Sequence, residues 1–476
     1  MSDDITRLGA LELSAAIHAR DLSCHGVMAA YLERIARLNP VLNAIVAMKP
    51  PETLLAQARE MDEKAARGEW MGWMHGMPQA IKDLAATRDI PTTRGSPLYR
   101  DFLPAEDSII VERVRQAGAI LIGKTNTPEF GLGSQTYNPV YGATRNAYDT
   151  TLCAGGSSGG AAVALAARLL PVADGSDMGG SLRNPAAFNN VFGFRPSAGL
   201  VPKYPVPEAF IEQLGVEGPM ARSVPDLARL LATQAGADPR APLSRESDPS
   251  VFAQPLRAPA RGLRVGWLGD LDGHLAFEPG ILDLCTDALT ALAGVGCEVQ
   301  AARLGFAPER LWEMWLTLRS CVVAGGRWAD YSDPARRALM KPEAIWEVER
   351  GRATSALQVY QASEERTAWH RHLLGLFRQY DILVLPTAQV FPFDVGRHWP
   401  ERIGDRTMDT YHRWMEVVIG PTLAGAPSIS VPVGFGSGGA PMGMQLIGAP
   451  GADLQVLELA HAYDQATRWV ERKPPR

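Results

Sequence analysis

Residues 153–183 read CAGGSSGGAAVALAARLLPVADGSDMGGSLR, and the rest of the chain is best interpreted from this stretch. Two loops of small residues, 155–160 and 175–181, flank an apolar run of helical length, 161–170. Each loop contains a serine directly after a Gly-Gly pair. Glycine lets a backbone approach a ligand closely, and consecutive N–H groups in such a loop can hold a negative oxygen. The stretch therefore indicates hydroxyl nucleophiles beside oxyanion donors, as acyl transfer requires; two tight turns around a core helix are the alternative.

The composition of the 476 residues limits the classes of protein that need to be considered. Hydrophobic residues make up 46% and charged residues 21%, as in ordinary globular proteins. The net charge of −5 and the mixed signs along the chain favour neither a nucleic-acid nor a membrane partner. The N-terminus is acidic and does not resemble a signal peptide, and no apolar run reaches the ~20 residues that span a bilayer.

The five cysteines are odd in number and scattered, without a Cys-x-x-Cys pair. This usage is typical of a reducing cytoplasm and argues against a disulfide framework or a zinc site. We therefore expect a cytoplasmic protein without a metal. The cysteines are Cys24, Cys153, Cys285, Cys297 and Cys321.

Hydrophobic periodicity predicts an α/β chain, with strands at both ends and helices between them. The predicted strands are 42–47, 76–83, 119–122, 262–268, 298–304, 381–386, 428–433 and 442–447. The predicted helices are two within 11–37, then 54–67, 107–117, 161–170, 224–236, 279–293, most of 308–378, and 454–469. The simplest arrangement is a single large mixed β-sheet surrounded by α-helices.

We expect one domain, residues 1–476, with its most informative core in 76–202. Residues 238–261 are rich in Pro, Ala and Arg and are typical of a linker. Residues 262–378 combine a β-α-β unit with a helical, tryptophan-rich region, which we expect to line a substrate pocket.

Two motif matches are rejected or given little weight. Residues 118–125 match the phosphate-loop pattern, but a helix precedes them and their middle is a predicted strand, whose N–H groups would not be free for phosphate. Residues 155–159 match the nucleophile-elbow pattern G-x-S-x-G, but residues 149–154 before them make a poor buried strand. An elbow-type hydrolase is therefore only weakly supported.

Taken together, Lys82, the GGSSGG loop and the GSDMGGS loop resemble the amidase signature family. Lys82 precedes Ser157 by 75 residues and Ser157 precedes Ser181 by 24, which are the family's spacings. The resemblance continues through residues 123–130, 142–146 and 423–432, so that it covers nearly the whole chain. It implies the family's fold, a large mixed sheet enclosed by helices.

The resemblance also implies a Ser-Ser-Lys triad, with Ser181 as the nucleophile, Lys82 as the base and Ser157, on a cis peptide after Gly156, as the bridge. A serine hydroxyl needs an adjacent base, and a lysine is a base only when burial lowers its pKa. The implied oxyanion donors and supporting polar residues form a larger set. The donors are the N–H groups of Met178, Gly179, Gly180 and Ser181, and the supporting residues are Ser158, Asp177 and Arg183.

The implied reaction is hydrolysis of a carboxamide C–N bond through an acyl-enzyme, without a metal or organic cofactor. Tyr137, Cys153 and Trp414 are candidate pocket residues, and their apolar and aromatic character predicts a small neutral alkyl or aryl amide, a lactam, an anilide or a carbamate. The expected partner is thus a small-molecule amide, with no nucleic acid or membrane and with a homodimer as the assembly.

Three alternatives stay open at this point. The first is a component of a tRNA-dependent amidotransferase, which resembles the same family and frees ammonia from glutamine inside a complex. Such a component needs charged residues for the amino acid's ammonium and carboxylate, and residues 387–413 contain several charges of both signs. The second is a non-catalytic binding protein on this scaffold, which the intact triad argues against. The third is an elbow-type esterase with Ser157 as the nucleophile.

Overall fold

The computed structural model describes residues 2–475. The helices are Ser2–Arg7 (α1), Ala10–His18 (α2), Cys24–Leu42 (α3), Pro51–Ala66 (α4), Ile109–Gln116 (α5), Gly159–Ala166 (α6), Arg183–Phe188 (α7), Val224–Gln234 (α8), Ile281–Gly294 (α9), Pro308–Ser332 (α10), Pro334–Arg337 (α11), Pro342–Ala353 (α12), Ala356–Leu376 (α13), Ile419–Ala424 (α14), Asp453–Thr467 (α15) and Trp469–Arg472 (α16). The strands are Ile45–Val46 (β1), Pro78–Lys82 (β2), Ile120–Thr125 (β3), Val172–Asp177 (β4), Phe192–Arg195 (β5), Val216–Ala221 (β6), Arg264–Trp267 (β7), Glu298–Ala301 (β8), Ile382–Pro386 (β9), Arg402–Ile403 (β10), Arg406–Thr407 (β11), Ser428–Phe435 (β12) and Pro441–Gly448 (β13).

An eight-stranded mixed sheet forms the centre of the molecule, in the order β4-β6-β5-β12-β13-β9-β7-β8. The strand β7 pairs in parallel with β8 and β9, and the other pairs are antiparallel. The late strands β12 and β13 lie in the middle of this sheet, because the end of the chain returns to strands formed early. The predicted large mixed sheet surrounded by helices is confirmed.

A second, three-stranded sheet has the order β1-β3-β2 and carries the first residue of the predicted triad. Its strands β2 and β3 are parallel, and Lys82, the last residue of β2, is paired with Thr125. The backbone N–H of Lys82 donates to Asp174 of β4, 3.1 Å away. This contact brings the end of the small sheet against the edge strand of the large one.

Three segments differ from the secondary structure expected from the sequence. The stretch 175–181, expected to be a loop, begins inside β4, and the residues after α7, where the sequence gives no strand signal, form β5. The sequence pattern does not predict β6 either. The strands β4 and β6 contain Gly, Ser, Asp or Pro, which have low strand propensity, and β5 is only four residues long. All three are strands because each pairs with its neighbours in the assembled sheet.

The structure agrees with the rejection of the phosphate-loop match. Gly123, Lys124 and Thr125 lie within β3, and the Lys124 ammonium is buried instead of facing a ligand. It donates to the carbonyl oxygen of Ala85 at 2.6 Å and to the hydroxyl of Thr87 at 2.8 Å. The motif is thus part of the core.

Every residue of α6 is buried, and this helix connects the two glycine loops. A Cβ placed on its Gly160 would lie 2.3 Å from the backbone nitrogen of Asn126, so the close approach requires glycine. Within residues 2–475, no helix has both the length and the apolar character needed to cross a membrane.

Candidate active site

The side chain of Lys82 ends among three serine hydroxyls. Its Nζ donates to Ser157 Oγ and to Ser158 Oγ, both at 2.8 Å, and to Ser176 Oγ at 3.0 Å. The residue is only 1% exposed. Serines from the two glycine loops, which α6 separates in the sequence, therefore meet at one buried amine.

Burial lowers the pKa of Lys82 to about 7, although the carboxylates of Asp174, Asp177 and Glu217 oppose this by favouring the ammonium. None of the ion pairs found within residues 2–475 includes Lys82. A substantial fraction of the amine is consequently neutral near pH 7, and a neutral amine can accept a proton.

The loop before α6 is held by the segment that precedes it in the chain. The peptide bond between Gly156 and Ser157 is cis. The Ser134 hydroxyl donates to the carbonyl oxygen of Gly156 at 2.6 Å, and the Thr136 hydroxyl donates to that of Gly155 at 2.8 Å. These contacts fix the backbone that presents the Ser157 hydroxyl to Lys82.

Ser181 follows β4 at the edge of the buried cluster and is 8% exposed. Its carbonyl oxygen accepts a hydrogen bond from the N–H of Ser158 at 3.2 Å, which connects the two loops. Gly180 before it has φ +88°, and a Cβ there would lie 2.8 Å from Val418. A residue with a side chain would thus displace the loop that carries Ser181.

Asp177 holds both ends of the loop that carries Ser181. Its carboxylate accepts from the N–H groups of Gly180 at 2.9 Å and Leu182 at 3.2 Å, and it pairs with Arg183 at 3.0 Å and Arg195 at 3.3 Å. Burial alone would raise the pKa of Asp177, but the two guanidinium groups hold it well below its usual range. The carboxylate is therefore ionised, and it fixes the loop geometry.

One predicted oxyanion donor is already engaged. The Gly180 N–H donates to Asp177 at 2.9 Å, so it would have to share this hydrogen bond to meet a substrate oxygen as well, and its place in the oxyanion hole stays a prediction. The N–H groups of Met178, Gly179 and Ser181 stay predicted donors.

Arg183 has the structural surroundings expected of a supporting residue. Besides Asp177, it donates to Gln445 Oε1 at 2.8 Å, to Thr422 Oγ1 at 2.9 Å and to the carbonyl oxygen of Val418 at 3.1 Å. It thereby connects the Ser181 loop to β13 and α14.

Helix α10 packs against the outer side of the same loop. A Cβ on Gly179 would lie 3.2 Å from the ring of Trp315, and the Arg319 Nη1 is 3.3 Å from the sulfur of Met178. Arg319 is buried and pairs with Glu347 at 2.6 Å and with the Tyr411 hydroxyl at 2.8 Å. A charged, aromatic wall therefore adjoins the predicted oxyanion donors.

The three candidate pocket residues lie in different surroundings. The Tyr137 hydroxyl donates to Glu343 at 3.3 Å, and its ring stacks on that of His398 with centroids 4.4 Å apart. Cys153 and Trp414 are fully buried in the core. No contact in the described structure joins any of the three to Ser181, and their role in binding stays a prediction.

Several residues around Lys82 were not predicted from the sequence. Asp174 and Ser176 lie inside the opening stretch, and their spacing of two, which places both on one face of a strand, was the available signal. Glu217 and Arg195 gave no local signal, because they approach the site only through strand pairing.

Comparison with known proteins places this geometry among amide-cleaving enzymes. The sequence pattern of the amidase family matches residues 26–457. The chain is 33% identical to a glutamyl-tRNA(Gln) amidotransferase subunit of Thermosynechococcus vestitus over 97% of its length and 98% of that protein. It is 34% identical to the corresponding glutamyl-tRNA(Gln) amidotransferase subunit of Acidothermus cellulolyticus, over 98% of its length and 95% of that protein.

Among solved structures, the chain resembles a bacterial aryl acylamidase of the amidase signature family. The TM-score is 0.90 with 29% identity, covering 97% of this chain and 96% of the other. The fold and the arrangement of strands are thus shared over almost the whole molecule.

These relatives correct two expectations from the sequence. The prediction of an enzyme for a small neutral alkyl or aryl carboxamide is wrong, since the curated relatives of nearly full length are amidotransferase subunits. The second expectation was that the partners are a small-molecule amide and at most a second copy of the chain, without nucleic acid. The names of these relatives, subunits of an amidotransferase for glutamyl-tRNA(Gln), contradict it. The first alternative, a component of an amidotransferase, has the better support.

Proposed function

The chain belongs to the amidase signature family, and from this premise we propose that it is the amide-hydrolysing subunit of a tRNA-dependent amidotransferase. The observation that carries the proposal is its similarity, from end to end, to relatives named as glutamyl-tRNA(Gln) amidotransferase subunits. In this role it frees ammonia from the side-chain amide of glutamine, and partner subunits use the ammonia on glutamyl-tRNA. Its compartment is then the cytoplasm, which fits the five free cysteines.

In the proposed chemistry, neutral Lys82 accepts the proton of Ser157 while Ser157 accepts that of Ser181. The Ser181 oxygen attacks the amide carbon and forms a C–O bond. The hydrogen bond between Lys82 and Ser157 and the lowered pKa of the lysine support this relay. The base acts without an ion-paired carboxylate, and burial lowers its pKa to about 7, so that a substantial fraction is neutral near pH 7.

The tetrahedral oxygen is then held by the N–H groups of Met178, Gly179 and Ser181, and losing one such donor elsewhere costs ~3 kcal/mol of barrier. The C–N bond breaks as Lys82, through Ser157, returns the proton to the nitrogen, and ammonia leaves. Water adds to the Ser181 ester by the same relay and releases glutamate. Ser158, Asp177 and Arg183 support the loops throughout.

Arg319 is the residue we propose for the carboxylate of glutamine. The guanidinium lies over the Trp315 ring, and within residues 2–475 its Nη1 has only the thioether of Met178, a weak acceptor, as a hydrogen-bond partner. A carboxylate there would form a charge-assisted bond beside the oxyanion loop. Trp315 and Arg319 both contact the loop that carries the predicted oxyanion donors. We therefore also propose that residues 262–378, to which they belong, line the substrate pocket.

The test is hydrolysis of glutamine, measured as release of glutamate and ammonia. Two samples purified from the protein's own cells are compared, the chain alone and the chain together with the proteins that co-purify with it. Wild type is expected to hydrolyse glutamine within the complex and to support formation of glutaminyl-tRNA from glutamyl-tRNA. Ser181→Ala is expected to lose at least ~10³-fold of the hydrolysis while staying in the complex.

Two results would overturn the proposal. One is the absence of glutamine turnover with the complex present, together with rapid hydrolysis of neutral amides by the chain alone. The other is substantial turnover by Ser181→Ala. Mapping the acyl adduct separates Ser181 from Ser157, which the elbow-type alternative requires as the nucleophile.

A further inference from the structure

Glu217 lies on β6 directly opposite Ser176 of β4. Residues directly opposite in an antiparallel pair have their Cβ atoms about 4.5–5.5 Å apart on the same face. Ser176 Oγ accepts a hydrogen bond from Lys82 Nζ at 3.0 Å. The carboxyl of Glu217 is therefore one side chain away from the amine proposed as the base.

The Glu217 carboxyl is buried without a full set of partners. The residue is 8% exposed, and its Oε2 has no hydrogen-bond partner within residues 2–475. The nearby cation Lys203 pairs instead with Glu212 at 3.0 Å. An unpaired buried carboxyl is costly, so its place beside the site calls for a functional explanation.

The charged groups around Glu217 come from three elements: Lys82 from β2, Asp174 from β4, and Lys203, with Glu212, from the segment before β6. Burial raises the pKa of Glu217 to about 7; Lys203 lowers it, Asp174 raises it further and Lys82 lowers it. Lys82 also has a pKa of about 7. Two groups that titrate in the same range and interact share their protons as a pair.

We propose that Glu217 is a positioning residue that sets the charge of Lys82 across the Ser176 side chain without touching the substrate. When Glu217 is ionised, it stabilises the Lys82 ammonium and delays formation of the neutral base. When it takes up a proton, the neutral amine forms more readily. The inference rests on the proposed role of Lys82 as the base of Ser181.

The test uses a reaction that is independent of the natural substrate. A fluorophosphonate phosphonylates the nucleophilic serine: the serine oxygen bonds to phosphorus, fluoride leaves, and the serine proton goes to the base. The rate of labelling is measured from pH 5.5 to 9 for the wild-type chain and for Glu217→Gln. Glu217→Met is a second variant that removes the carboxyl, and Glu298→Gln is the control that removes an exposed carboxylate from β8, at the opposite edge of the same sheet.

In wild type, labelling rises with pH as Lys82 loses its proton. Both Glu217 variants are expected to move this rise to lower pH by roughly half a unit or more, because the ammonium loses a stabilising charge. Their plateau rate at high pH is expected to stay within about twofold of wild type, and Glu298→Gln is expected to leave the midpoint in place.

A midpoint that does not move in either folded variant, or that moves to higher pH, overturns the inference. So does a lowered plateau with an unchanged midpoint, since that is the signature of a purely structural role. If the wild-type chain is not labelled, or Ser181→Ala is labelled equally fast, the proposed nucleophile fails instead, and the two failures are distinguishable.

Discussion

Two buried lysines, Lys82 and Lys124, occupy neighbouring positions on paired parallel strands and provide an internal comparison. In the register of β2 and β3, Lys82 is paired with Thr125, and Lys124 with Ile81. Both lysines are at most 1% exposed. Burial lowers both pKa values, that of Lys82 to about 7 and that of Lys124 to about 8. By burial and pKa alone, either could be a catalytic base.

The difference lies in the groups that each amine meets. Lys124 donates to the Ala85 carbonyl oxygen and to the hydroxyls of Thr87 and Thr92. Both threonine hydroxyls direct their own hydrogens to that carbonyl, so they can only accept from Lys124. At Lys82, the Ser158 hydroxyl likewise donates to a carbonyl oxygen, that of Ser176, at 3.4 Å, but the Ser157 hydroxyl has no such acceptor within residues 2–475 and has a proton to give. A lowered pKa is thus insufficient, and a base also needs a partner that can donate to it.

The largest expected effect separates the two lysines by rate. Lys82→Met is expected to reduce fluorophosphonate labelling of Ser181 by ~10³-fold or more, because the nucleophile loses its base. Lys124→Met is expected to change the labelling rate by less than about fivefold, because its amine contacts no group of the proposed relay. Rates are measured on folded protein at pH 8. Comparable losses in the two variants would show that the lysines are not functionally different.

The second effect concerns stability, and here Lys124→Met is expected to have the larger effect and Lys82→Met the smaller. Lys124→Met leaves the hydroxyl oxygens of Thr87 and Thr92 buried without their donor and leaves the Ala85 carbonyl with only the longer hydrogen bonds from these threonines, at a cost of about 2–3 kcal/mol in the free energy of unfolding. Lys82→Met is expected to cost less than about 1 kcal/mol, since its serine hydroxyls can donate to one another. Urea midpoints measure both, each variant serving as the other's control, and equal midpoints would contradict the expectation.

The third effect is the pH dependence of stability. Between the folded pKa, about 7 for Lys82 and about 8 for Lys124, and the ordinary value of 10.5, the unfolded chain holds a proton that the folded chain has lost. The free energy of unfolding therefore rises with pH in this window, by at most ~1.4 kcal/mol per unit and lysine.

The free energy of unfolding is measured by urea titration at pH 6, 7, 8 and 9 for wild type and for each Lys→Met variant. The difference between wild type and a variant isolates the contribution of that lysine. The Lys82 difference is expected to begin to rise near pH 7, and the Lys124 difference about one unit higher. A difference that falls with rising pH would mean that the folded pKa is raised.

The smallest effect comes from removing one hydroxyl beside each lysine. Ser158→Ala removes one of three serine acceptors at Lys82 and is expected to slow labelling about tenfold, because the amine is less well directed at Ser157. Thr87→Val is expected to cost about 1 kcal/mol of stability and to leave the labelling rate within about twofold. A rate loss in Thr87→Val as large as that in Ser158→Ala would extend the site to Lys124.

Much of the fold and the central contacts could be predicted from the sequence. The apolar runs that became β9, β12 and β13 are contiguous signals, and they correctly indicated strands that return to one large sheet. The resemblance in the glycine loops pointed to Lys82, Ser157 and Ser181, and two of these, Lys82 and Ser157, are hydrogen-bonded. The neutral-amide substrate was inferred from the composition of candidate pocket residues, and it failed because such composition does not state what those residues face.

Local chemistry could be predicted from the order of the residues: glycine where the backbone needs positive φ or a close approach, serines in two loops, and the periodicity of strands and helices. Three features became visible only in the folded chain: that Lys124, equally buried, meets hydroxyls that donate to a carbonyl oxygen, that Asp177 binds the Gly180 N–H, and that Glu217 lies opposite Ser176. The physical reason is that burial, and with it each pKa, depends on groups that are distant in the chain and become neighbours only when the sheets assemble.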